Sequence, residues 1–159
     1  MKKVLTYSAW LASAAVEALI AAPPLAGQTA AGGKLAMSGD ITYFLGQGLP
    51  LNCTLNSRFK RGEPVGFRMT AVDPATGQRD RKAELVVHIT YGGKTVDVPM
   101  RDRQNEKQPE REFWVAKWIV PADAPVGVVR YSVTAKDSQG RTSEWKPFPV
   151  ENSMLTIVE

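Results

Sequence analysis

The sequence predicts an all-β protein, a single antiparallel β-sandwich of about seven to eight strands placed after an N-terminal signal peptide. Three features lead to it. From Gly62 onward, apolar and polar residues alternate in short runs, so that every second side chain falls on one face of a strand. Each run is closed by Gly, Pro, Asp or Asn, the residues that turn a chain. Nowhere is a 3.6-residue apolar period sustained.

The first segment has the order of an export signal. Lys2 and Lys3 precede the apolar and small stretch from Val4 to Val16, and Pro23, Pro24 and the small residues from Ala26 to Gly33 follow. Glu17 interrupts the apolar run, whereas a membrane span needs about 20 mostly apolar residues in a row, so a cleaved signal is favoured over a retained anchor. Thr29-Ala30-Ala31 offers the small residues a signal peptidase reads, and Pro24-Leu25-Ala26 is a poorer site. The expected division is a signal over 1–31, an N-terminal extension over 32–60 with one or two strands, and the sandwich over 61–159. A periplasmic or secreted location follows from the signal, with no membrane span once it is removed.

Within the sandwich the runs follow in order. Pro64 to Val72 turns Val65, Phe67, Met69 and Ala71 to one face, and Asp73-Pro74-Ala75-Thr76-Gly77 then reverses the chain. Ala83 to Tyr91 turns Ala83, Leu85, Val87, Ile89 and Tyr91 inward. Gly92-Gly93 makes a hairpin into Thr95 to Met100, where Val96, Val98 and Met100 continue the inward face. Phe113 to Val120 carries Trp114, Ala116 and Trp118 on one face. Val128 to Lys136 does the same with Val129, Tyr131, Val133 and Ala135, after a joint whose prolines, Pro121 and Pro125, bar it from a sheet interior. Thr142 to Phe148 and Met154 to Val158 complete the set. Two segments, Val65 to Asp73 and Val129 to Asp137, both end in Thr-Ala-x-Asp, which shared turn chemistry explains without a duplication.

The chain of 159 residues contains one cysteine, Cys53, so it can form no internal disulfide, and its β-rich flank reads as that of a buried thiol. No Leu-x-Gly pattern of a lipoprotein box precedes Cys53, and the Asn52-Cys53-Thr54 sequon is a chance match beside a bacterial-style signal. The net charge of +4, about +3 after loss of the signal, does not imply nucleic acid, and export argues against it.

The phrases Gly62-Glu63-Pro64-Val65-Gly66-Phe67-Arg68 leading to Asp73-Pro74-Ala75-Thr76-Gly77, and Trp118-Ile119-Val120-Pro121 leading to Gly127-Val128-Val129-Arg130-Tyr131, resemble bacterial immunoglobulin-like domains of the fibronectin type III, macroglobulin and YtkA-like flavours. The resemblance covers roughly residues 60 to 137 and is one of fold. It implies an immunoglobulin-like sandwich with a binding or scaffolding role and carries over no catalytic residue. The cysteine pair of antibody domains is absent.

No constellation points to catalysis, a cofactor or a metal, and the protein is expected not to be an enzyme. His88, the sole histidine, points off the apolar face of its strand; pairing Thr90 with Thr95 sets it opposite Asp97, an ordinary cross-strand pair. Copper handling would need clustered ligands, but the mature methionines are scattered at 37, 69, 100 and 154. Asp73 and Asp137 lack the second acidic ligand that calcium requires and read as turn formers. No Gly-x-Ser-x-Gly elbow is present.

Residues 101 to 112 balance acidic and basic groups, as a solvated mobile loop does; Arg103 and Lys107 are its candidate partner contacts. Arg58, Lys60 and Arg61 are separated from Arg79, Arg81 and Lys82 by a strand of roughly 30 Å, which puts the two groups at opposite ends of the sandwich. Trp145 and Phe148 lie where Pro147 and Pro149 mark a sheet edge, so they are candidate contacts, as is His88, although Trp145 folded onto the core is an equal expectation. The expected function is an exported protein-binding module, a small accessory or scaffold subunit of a periplasmic or envelope complex. The alternatives are binding of a carbohydrate or cell-wall polymer through exposed aromatics and, behind it, metal handling by His88 and Cys53.

Overall fold

The computed structural model describes residues 34–159, and the signal expected over 1–31 lies outside them. Where side chains alternate, strands form: β1 (Ala36–Tyr43), β2 (Arg58–Lys60), β3 (Pro64–Val72), β4 (Glu84–Tyr91), β5 (Lys94–Pro99), β6 (Arg101–Arg103), β7 (Phe113–Ile119), β8 (Gly127–Lys136), β9 (Thr142–Trp145) and β10 (Leu155–Val158). One sheet has the order β1-β3-β7-β6. The other runs β2-β10-β8-β4-β5, with β9 also paired to β8. The protein is therefore an all-β sandwich.

All seven strands expected from Gly62 onward form, and the faces predicted for β3, β4, β7 and β8 are the buried ones. Phe67, Leu85, Val87, Ile89, Trp114 and Val133 meet between the sheets with almost no exposure. Val96 and Val98 are only half-buried because β5 is the outer strand of its sheet. The chain changes sheets at Met100, whose N–H donates to Leu85 O at 2.8 Å between β5 and β6.

Three features add to the expected pattern. First, the one or two strands expected within 32–60 form as β1 and β2: β1 pairs along its whole length with β3, and Phe59 of β2 is fully buried. β1 is hard to read because its inward position 39 is a glycine, and the glycine is required. A Cβ there would stand 2.0 Å from Met69 Sδ and 2.6 Å from Arg68 O. Second, the sandwich is not wholly antiparallel, since β2 and β10 run parallel; a short strand can do this when its connection to its neighbour passes through the rest of the fold. Third, residues 101 to 112 are anchored at both ends. Arg101–Arg103 form β6 against β7, Arg79 bonds Asp102 at 2.7 Å and Glu112 at 2.6 Å, and Arg81 joins Glu112 at 2.8 Å. The Arg79 guanidinium also lies 4.1 Å over the Trp114 ring. Charge balance in sequence did not distinguish solvated ions from ions paired to a distant turn.

Candidate functional site

β8 determines where the open surfaces lie. On one side it pairs with β4 over Arg130–Lys136; on the other it pairs with β10 at Val129 to Gly127 and with β9 at Val133 to Lys136. β9 and β10 thus lie end to end on the same side of β8, joined by the segment containing Phe148. Facing β9 across the sandwich is β1, the outer strand of the other sheet.

Between them lies a groove of about 800 Å³, walled by Met37 to Ile41 of β1 and by Leu55, Tyr131, Trp145 and Phe148. The Tyr131 and Trp145 rings pack against each other at 6.1 Å between centroids, tilted by 49°. Burial, with the negative charge of Asp40, holds the Tyr131 phenol above its ordinary pKa, so it remains a neutral donor. Its hydroxyl donates to Ser153 O at 3.4 Å.

The edge of β1 is open over half its length. Asn56 N–H donates to Ile41 O (3.2 Å) and Tyr43 N–H to Thr54 O (3.0 Å), which shows that Ile41 and Tyr43 turn their main-chain groups away from β3. In an antiparallel ladder such groups alternate, so Met37 and Gly39 also turn theirs outward. Among the described residues no strand pairs with that part of the edge. The chain crosses to the other sheet at Ser57 and leaves these donors and acceptors facing the groove.

Of the residues expected to meet a partner, the structure brings Trp145 and Phe148 together in this groove. Trp145 is half-buried and packs on the core, whereas Phe148 is 78% exposed. The exposed aromatic of this edge is therefore Phe148, because the Trp145 ring has Tyr131 to cover it. His88 shares with Phe148 a shallower depression of about 700 Å³ on the outer face of the β8 sheet. Its pairing is as the alternation predicts: Nδ1 is 2.7 Å from Asp97 Oδ1 and Nε2 is 2.8 Å from Thr134 Oγ1. A carboxylate only accepts, so Nδ1 carries the proton, and in the neutral ring Nε2 accepts the Thr134 hydroxyl. Both nitrogens are thereby occupied.

Arg103 and Lys107 stand apart. β6 is the opposite edge of the β1 sheet, where the Arg103 guanidinium lies 5.6 Å over Phe113 and Lys107 is exposed. Cys53 and His88 lie apart: Cys53 is in the loop between β1 and β2, its N–H donating to Tyr43 O, and His88 is on β4 of the other sheet. Among the described residues no group of three or more His, Cys, Asp or Glu converges as metal ligands, and no helix is long and apolar enough to cross a membrane.

Sequence reasoning reached Phe148 through its flanking prolines. It missed Met37, Gly39 and Leu55, because a groove between two sheet edges is visible only once strand order is known. No protein-family model matches the chain, and no curated protein matches it either.

Proposed function

We propose that this chain is an exported, non-enzymatic binding module of immunoglobulin-like type, an accessory or scaffold subunit that holds a protein of the periplasm or envelope. The observation that supports it is the open edge of β1 from Met37 to Gly39 beside the Trp145 and Phe148 groove. An extended segment laid along that edge would gain main-chain hydrogen bonds from Met37 and Gly39, and alternate side chains would enter the groove. Unpaired edges also invite aggregation. Here residues 53–56 bond to the far part of the edge and shorten its exposed length.

The test is copurification from the host envelope under mild conditions, comparing the natural chain with Phe148→Ser. Phe148 is largely exposed, so its replacement leaves the fold intact. A stoichiometric protein retained by the natural chain and lost from Phe148→Ser is the expected result; a clean monomer from both ends this reading.

The aromatic lining of the groove favours a second reading. Tyr131, Trp145 and Phe148 stand beside Asn56 and Asn152, a combination of ring faces and amide groups suited to a glycan. Retention on cell-wall polysaccharide, lost in Phe148→Ser, would select it.

A further inference from the structure

Leu45, Leu49 and Leu51 stand on the loop between β1 and β2, exposed to 36%, 55% and 60%. No charged residue occurs between Asp40 and Arg58. Leu51 and Cys53 both take positive φ, 64° and 62°, a conformation that such residues keep only where the surroundings enforce it. The enforcing contacts are internal to the loop and its base. Leu49 N–H donates to Gly46 O, Asn52 N–H to Leu49 O, Thr54 N–H to Leu51 O and Cys53 N–H to Tyr43 O, at 2.8 to 3.3 Å. Gly46 N–H donates to the Asn52 side chain at 3.2 Å. A fixed framework thus presents leucines to solvent.

The same end of the sandwich carries further apolar and basic side chains. Phe44 N–H donates to Pro64 O (3.2 Å), Gly62 N–H to Val120 O (2.8 Å), and Pro64 pairs with Ile119. These contacts set the leucine loop beside the turn of Lys60 and Arg61 and beside Ile119, which is itself exposed, as is Val126 before β8. The one carboxylate of that turn, Glu63, is bent back to accept the Lys60 N–H at 2.8 Å.

We propose that this end of the protein docks on the surface of an anionic lipid bilayer, with Leu45, Leu49 and Leu51 entering the boundary between headgroups and acyl chains and Lys60 and Arg61 meeting lipid phosphates. The leucines are exposed on one loop and line neither groove described above, which suits a fluid apolar medium better than a shaped protein pocket. Entry into such a medium penalises main-chain groups without partners, and this loop bonds many of its own. Cations at the base of an apolar tip fit an anionic headgroup layer. The surface is separate from the β1 groove, so it does not depend on the protein-binding reading.

The protein is taken from the envelope of its host with its native N-terminus and floated with vesicles of phosphatidylethanolamine and phosphatidylglycerol, and in parallel with phosphatidylcholine vesicles. Flotation with the anionic vesicles, weakened by added salt, is expected. A Leu49→Asn, Leu51→Asn variant with the same N-terminus should bind about tenfold more weakly or worse, because two leucine burials are lost. Asn tolerates the positive φ of position 51, and Leu49→Asn alone, at a residue of ordinary φ, is the second variant should the double one melt early. Lys60→Gln with Arg61→Gln should remove the preference for anionic over neutral vesicles, and Phe148→Ser should leave flotation unchanged. Absence of flotation with either vesicle overturns the proposal. So does equal flotation of the natural and leucine-loop forms, or loss of a copurifying protein from the leucine variant with no vesicle binding in either form.

Discussion

Arg141 reaches Asp73 at 3.0 Å across a separation of 68 residues, so the turn that follows β3 is clasped to the turn that follows β8. The same guanidinium bonds Asp137, whose main-chain neighbours Gln139 and Arg141 also donate to it, at 2.9 and 2.8 Å. The two Thr-Ala-x-Asp segments that look alike in sequence thus end on one shared arginine, and their likeness has a structural use. β3 and β8 belong to different sheets, which makes Arg141 a tie between the two layers.

Arg141→Met should therefore lower the melting temperature by several degrees, because Asp137, whose side chain is buried, keeps its charge and loses its cation. Arg141→Lys should recover only part of the loss, since a single ammonium cannot fork between two carboxylates. Thermal melts followed by circular dichroism measure both, and equal melting of natural and Arg141→Met proteins would deny the clasp a stabilising role.

Acid should unfold the protein over a narrow range. The Arg141 bond, followed by the Ala75 N–H, holds Asp73 below its ordinary pKa, and the side chain and N–H of Ser138 do the same for Asp80. Burial pushes Glu112 upward, but the Asn105 N–H, the Arg79 bond and the charges of Arg81 and Arg79 outweigh it; for Asp137, Arg141 and the N–H groups outweigh burial likewise. A carboxylate with a depressed folded pKa contributes stability that is present above its unfolded pKa of about 4 and is lost as pH falls through the folded value. Stability should stay level from neutral pH to about 5 and then drop steeply below about 4. Glu112→Gln should lower the plateau and soften the drop, which urea titrations at a series of pH values would show.

What was legible in the sequence was local. Strict alternation made the faces of β3, β4, β7 and β8 readable, and the glycines of the Gly92-Gly93 hairpin fixed a register that puts His88 against Asp97. The start of the sandwich was obscured at β1, where an inward glycine interrupts the alternation. The Arg79, Arg81 and Glu112 cluster left no trace because its partners are some 30 residues apart. The groove depends on which strands are left at sheet edges, and alternation says nothing about strand order.

Gly39→Ala tests the packing of β1 directly. The new methyl group would meet Met69 Sδ and, at 2.6 Å, the Arg68 carbonyl, and only the first of these can swing aside. A loss of about 1–3 kcal/mol is expected, the cost of forcing a methyl group against neighbours that leave it no room. Met69→Ala in the same chain should not rescue it fully, because the backbone contact remains. If Gly39→Ala unfolds at the same urea concentration as the natural protein, β1 is not seated as closely on β3 as the contact implies.

The final expectation concerns where the folded unit begins. Phe59 is fully buried on β2 and meets the Tyr43 ring edge-on at 5.2 Å, so two residues of the segment before Arg61 close one end of the core. Phe59→Ala should cost about 3–5 kcal/mol, the range for deleting a large aromatic ring from an interior. Leu55→Ala, four positions earlier on the same segment but largely exposed, should change stability by no more than about 0.5 kcal/mol. The contrast matters because a dispensable arm would show small effects at both positions. A large loss at Phe59 alone means that residues before Arg61 help hold the sandwich together, and that the open edge of β1 is supported by the same core as the rest of the fold.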